Sequence, residues 1–116
     1  MLYNSSLKKR ICTKTVRLDN IFSIGTGLMM RSHDAVMDKA WIFIIGKPRI
    51  ISITTFFMRY PIDILFLDES RKIISLKTVM KTWSLYSPGC KASYVIELDA
   101  GYIRKNKLKI GHKLTF

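Results

Sequence analysis

The chain has 116 residues, and its twenty Lys and Arg against eight Asp and Glu leave a net charge of +12. That length suits one domain burying roughly two-thirds of its unfolded surface, so a core forms without disulfide staples. The longest apolar runs are cut by Lys47-Pro48-Arg49, Arg59 and Asp63, short of the roughly 20 residues a membrane-crossing helix needs, and polar Asn4-Ser5-Ser6 with Lys8-Lys9-Arg10 stand where a secretory leader has its apolar segment. A soluble cytoplasmic protein with no membrane partner is expected.

In chain order, residues 1–14 read as a basic extension or first strand before a single β domain over 15–116. Ile11–Leu18 alternates irregularly, as a strand does. Gly25-Thr26-Gly27 is a turn, and from Leu28 a short helical segment runs towards Lys39 with Ser32 or Asp34 as an internal cap. Trp41–Ile45 is an apolar strand ended by Gly46-Lys47-Pro48-Arg49, where proline offers no amide to a ladder. Ile50–Met58, rich in β-branched and aromatic residues, is the next. Pro61 separates it from Ile62–Leu67, and Asp68-Glu69-Ser70-Arg71 turns that strand back into Lys72–Val79 as a hairpin. Trp83–Gly89 is an irregular crossing loop; Lys91–Leu98 is a strand; Tyr102–Lys107 is a short helix with Asp99 as candidate N-cap; Leu114–Phe116 is the last strand. Many short strands with turn signals between them argue for a small antiparallel β-barrel or a jelly-roll-like sandwich with one or two short helices.

Asp63 is the residue that most needs an explanation. Alternation sets Ile62, Ile64 and Phe66 on one face of its strand and Asp63, Leu65 and Leu67 on the other, so the acid travels with leucines. A carboxylate buried there requires a partner, and Arg31 or Arg59 supplies one by type. The alternative is a pocket carboxylate converging with Glu97 as an acid/base pair, which requires Glu97 to face inward beside Val95.

The cations lie in blocks: Lys8 to Arg17, Arg71 to Lys91, and Arg104 to Lys113. If two blocks share a face they form a surface that attracts phosphates by counterion release; otherwise they merely solvate the surface. Aromatic residues accompany them, Trp83 and Tyr86 after Lys81, and Tyr102 before Arg104, Lys105 and Lys107. Exposed rings beside cations stack on unpaired bases; a Trp83 packed over the open end of the β structure is the structural alternative.

Other chemistry is poorly supported. His33 and His112 have no ligand spacing, so no metal or cofactor is expected. Ser84 and Ser87 lack a nucleophile-elbow context, Cys90 lacks a histidine, and Cys12 and Cys90 read as two isolated thiols.

In series, Gly27-Leu28-Met29 with Arg31, Met58, Pro61-Ile62-Asp63, Phe66-Leu67-Asp68, Tyr94-Val95-Ile96-Glu97-Leu98 with Ala100-Gly101, and Gly111 resemble the domain of unknown function 192 family in its archaeal form, from about Thr15 onward. The resemblance implies a compact, mostly antiparallel barrel or jelly-roll fold and no established activity. Two elements depart from the pattern: His112 stands where the family usually has Asp, and Ser23-Ile24-Gly25-Thr26 stands where a Glu-Arg pair is common. The sequence therefore points to a binding module with a basic surface for a polyanion such as RNA. The second reading is a small-molecule or peptide pocket around Asp63, which could include catalysis.

Overall fold

The high β propensity is realised as short strands. The computed structural model describes residues 1–19 and 32–116, and within them lie β1 (Leu2–Asn4), β2 (Lys9–Cys12), β3 (Lys14–Leu18), β4 (Lys39–Ile50), β5 (Ile53–Thr54), β6 (Ile62–Leu67), β7 (Ile73–Met80), β8 (Leu85–Tyr86), β9 (Lys91–Asp99) and β10 (Leu114–Thr115). A 3-10 turn (His33–Ala35) precedes β4, and one helical turn, α1 (Tyr102–Lys105), follows β9.

All six residues of β6 are buried, because the sheet containing it is covered on both faces. That sheet has the order β3-β4-β9-β6-β7, antiparallel except for the parallel β3–β4 pair. On one face Ile62, Ile64 and Phe66 pack with Trp41, Phe43 and Val95 beneath Val36, Ile53, Met58 and Tyr60. On the other, Leu65 and Leu67 pack with Ile42, Ile96 and Leu98 beneath Leu2, Cys12, Ile103 and Leu114, from the β10-β1-β2 sheet and α1. The five-stranded sheet is open, with β3 and β7 at its ends, so of the two architectures expected the sandwich-like one is realised.

Three expected elements are altered. β4 continues through Gly46 and Pro48 to Ile50; the ladder to β9 breaks between Ile44 and Arg49, and Gly46 takes φ 83° to make the break. The strand expected over Ile50–Met58 shrinks to β5, because Thr55 turns fully inward and ties two loops together. Its amide donates to the Ser84 carbonyl at 2.9 Å, its hydroxyl to the Lys81 carbonyl at 2.6 Å, and its carbonyl accepts the Trp83 amide at 3.0 Å. In the helical segment expected towards Lys39, only the turn at His33–Ala35 is helical among the described residues, and Ser32 at its start makes no side-chain cap bond. Gly25-Thr26-Gly27 and the positions from Leu28 to Arg31 lie outside the described residues.

Asp63 is completely buried, and its partners among the described residues are backbone amides. Oδ1 accepts the Val79 N–H at 2.8 Å; Oδ2 accepts Gly101 N–H at 3.0 Å and Ile103 N–H at 2.9 Å. Of the two guanidiniums expected by type, Arg59 is exposed, and Arg31 lies outside the described residues. The first turn of α1 has amides with no intrahelical acceptor, and a register shift between Ile62 and Ile64 frees Val79, which sits at φ 46°. Three amide donors on one carboxylate compensate its burial as a cation would. Asp63, and not Asp99, therefore caps α1. Asp63→Asn puts an amino group against at least one of these donors; we expect it to lower unfolding free energy by about 3 kcal/mol in urea titration. A loss below about 0.5 kcal/mol would show that the carboxylate is dispensable.

Candidate functional site

The loops fastened by Thr55 display an apolar knob. Trp83 is 60% exposed and Phe57 50%, their ring centroids 4.8 Å apart, with Phe56 6.1 Å from Trp83. Trp83 thus leans on two other exposed rings and does not close an end of the sandwich. Phe57 and Trp83 adopt φ of 64° and 54°, a left-handed backbone that costs bulky residues about 1 kcal/mol or more. Anchoring of the loops by buried Thr55 sustains that cost. Leu85 and Val79 extend the exposed apolar surface.

The knob is drawn from two stretches of chain whose charges are all positive. Residues 39–62 and 70–96 contain no Asp or Glu. Lys81 and Arg59 are exposed beside it, and the Lys77 ammonium lies 5.2 Å from the centroid of the Tyr86 ring. Tyr86 itself is half-buried, 6.1 Å from Phe66, and serves the core more than the surface. Of the residues the sequence offered for polyanions, Lys81, Trp83 and Tyr86 belong to this side of the sheet. Arg104, Lys105 and Lys107 lie on or just after α1, whose Ile103 packs on the opposite face. The Phe56-Phe57 pair escaped the sequence reading, since adjacent aromatics inside an expected strand look like core; the signal available was Phe56-Phe57 followed at once by Met58-Arg59.

Asp63 and Glu97 do not converge. Glu97 is the register partner of Ile64, and adjacent residues of β6 point to opposite faces, so the two acids lie on opposite sides of the sheet. Glu97 faces inward as the acid/base alternative required, paired across β4 with Trp41 and only 7% exposed. Burial among apolar groups pushes its pKa up to about 8. Two residues along the same face, Asp99 accepts or shares a 2.8 Å bond with His33 Nε2, and the His33 ring meets Tyr60 edge-on at 5.1 Å. Among the described residues no set of three or more His, Cys, Asp or Glu is arranged to hold a metal. Both cysteines are free, and burial followed by the nearby Asp38 charge raises the Cys12 thiol to about 11. Cys12 is thus a neutral core group at physiological pH.

A family model matches residues 8–116, that of DUF192, described as an uncharacterized ancient conserved region. The chain belongs to the DUF192 family. A UPF0127 protein of Thermococcus sibiricus is 33% identical over all of this chain and 74% of its own length. A UPF0127 protein of Pyrococcus furiosus is 30% identical over 99% of this chain and 97% of its own length. Among solved structures, a Sinorhizobium meliloti protein provisionally described as a transcription regulator superposes with a TM-score of 0.83 at 23% identity, covering 98% of this chain and 88% of that one. A Novosphingobium aromaticivorans protein of unknown function gives 0.80 at 17%, covering 88% and 74%. At these identities the two structures attest the fold alone. Within this DUF192 chain, His112 at the position of the family's usual Asp is structural: its Nδ1 meets the Asn4 side-chain amide at 3.1 Å and the Lys109 amide at 3.2 Å, joining the first strand to the last loop. The other departure, Ser23-Ile24-Gly25-Thr26, lies outside the described residues.

Glu97 makes stability depend on pH. The folded protein keeps this proton up to about pH 8, while the unfolded chain releases it near the ordinary value of 4.5. Folded molecules hold more protons between those limits, so the contribution is fully favourable below 4.5 and is lost as pH rises through about 8. Glu97→Gln, which has no proton to lose, should raise the melting temperature at pH 8 and leave it nearly unchanged at pH 4.5, flattening the dependence measured by thermal denaturation across that range.

Proposed function

We propose that this DUF192 protein is a cytoplasmic binding module for single-stranded polyanions such as RNA, using the aromatic knob and the cations around it. The observation that carries this reading is the exposed trio Phe56, Phe57 and Trp83, with Phe57 and Trp83 held in left-handed backbone, drawn from two stretches of chain that have no acid. Rings displayed at a conformational cost need a use outside the fold. Unpaired bases supply π-faces for stacking, and Lys81, Lys77 and Arg59 supply charge for the phosphates between them. Duplexes keep their bases stacked internally, which favours single strands. The alternative centred on an Asp63 pocket is disfavoured by the three amides that already occupy its oxygens.

Fluorescence anisotropy with a labelled single-stranded RNA tests the reading. Affinity should fall steeply with salt, as counterion release requires. Trp83→Ala should weaken binding by about tenfold or more at every salt concentration, matching the loss of one stacked base, while Lys81→Ala should lower the salt slope. Absence of both RNA binding and heparin retention at low salt would refute the proposal, as would a Trp83→Ala protein that binds as tightly as the parent.

A further inference from the structure

A second positive surface lies at the end of the central sheet where β3 and β4 begin, bounded by Cys12 and Tyr102, which pack with the second core layer. It is a groove of about 620 Å³, inside the size range of small-molecule sites. Three separate parts of the chain wall it. The β2–β3 corner contributes Arg10 and Lys14, the turn entering β4 contributes Asp38 and Lys39, and α1 contributes Tyr102 and Lys105.

Its electrostatics are unbalanced. Arg10, Lys14, Lys39 and Lys105 face one carboxylate, that of Asp38. The Tyr102 hydroxyl donates to Asp38 Oδ1 at 2.5 Å, spreading the one negative charge the groove contains. Among the described residues none of the four cations has a carboxylate within ion-pair distance. Lys14 and Lys39 are moreover direct register partners at the first residues of the parallel strands β3 and β4, so two like charges sit side by side in the groove wall. Like charges placed opposite one another destabilise a sheet unless something neutralises them. A dianion seated between Lys14, Lys39, Arg10 and Lys105 does that, with the Arg10 guanidinium suited to two phosphate oxygens at once. The second oxygen of Asp38 and the side-chain oxygen of Asn106, whose amide nitrogen donates to the Tyr102 carbonyl, are the groove's remaining acceptors for hydroxyl groups.

We infer that this groove binds a small hydroxylated phosphomonoester, at a site separate from the aromatic knob. The charge complement selects the phosphate; Asp38 and Asn106 select a sugar-like body over inorganic phosphate; and the groove's limited volume selects a small molecule over a folded partner. A terminal phosphate on RNA presents the same group, so the source of the phosphate is resolved by the choice of probes.

Ribose 5-phosphate, inorganic phosphate, ribose and an RNA oligomer with and without a 5′-phosphate serve as probes in titrations followed by amide NMR shifts, at constant ionic strength. Ribose 5-phosphate should saturate shifts at Lys14, Lys39 and Lys105, at least about tenfold tighter than inorganic phosphate and with ribose silent. The double variant Lys14→Ala/Lys105→Ala should abolish that saturation while melting no lower than the parent, since it removes repulsion as well as a site. It should also keep its affinity for unphosphorylated RNA, which separates failure of this inference from failure of the RNA reading. Groove shifts produced only by the 5′-phosphorylated oligomer would overturn the small-molecule assignment. Non-saturating shifts spread over surface lysines, equal in parent and variant, would overturn the site itself.

Discussion

Burial of the Asp63 carboxylate is the constraint from which the rest of the architecture hangs. Taking an ion of that size out of water costs several kcal/mol, and three amide donors offset it only if they arrive together. They come from the end of β7 and the start of α1, so one side chain fixes where β6, β7 and the segment after β9 meet. Met80 and Lys81 lead from Val79 straight to the exposed Trp83, and Arg104 and Lys105 follow Ile103. The knob and the groove are thus positioned through a single carboxylate that lines neither of them.

The acids explain why so basic a protein presents even more positive charge than its composition suggests. Asp63 is enclosed, Asp68 Oδ1 accepts the Ser70 and Lys72 amides at 2.8 and 2.9 Å to close the β6–β7 turn, Asp38 bonds Tyr102, Asp99 bonds His33, and Glu97 holds a proton to about pH 8. Five of the eight acids are therefore turned to internal work. Among the described residues the cations are tied mainly to rings: Arg71 donates to the Phe116 carbonyl at 2.8 Å and lies 4.2 Å from the centroid of that ring, and Arg17, Lys77 and Lys105 also lie over aromatic rings. Folding segregates the two signs of charge more than any count of residues does.

Much of the frame was legible in the residues. Ile62–Leu67 and Lys72–Val79 with their Asp68 turn, Lys91–Leu98, the helix at Tyr102 and the last strand all carry local signals of alternation, turn chemistry and propensity, and each is present within a residue or two. The burial of Asp63 was legible for the same reason, since its neighbours are leucines. Its partners were not, because a backbone amide has no letter in the sequence and only tertiary placement of Val79 and Gly101 reveals them. Pro48 read as a strand stop fails because a ladder can skip around one missing donor when Gly46 allows the bend. The groove was invisible because Arg10, Lys14, Lys39 and Lys105 are distributed over nearly the whole chain.

The pairing of β1 with β10 sets a condition on biosynthesis. Tyr3 lies opposite Thr115 and Asn4 opposite Leu114, with the Ser5 amide donating to the Lys113 carbonyl at 2.8 Å. Leu2 is completely buried in the same cluster as Leu114. Synthesis makes Leu2 long before Leu114, so the nascent chain carries Leu2 without its β10 cover over that whole interval, a period in which the flanking Lys8-Lys9-Arg10 cluster keeps the segment hydrated and discourages coalescence with other nascent chains.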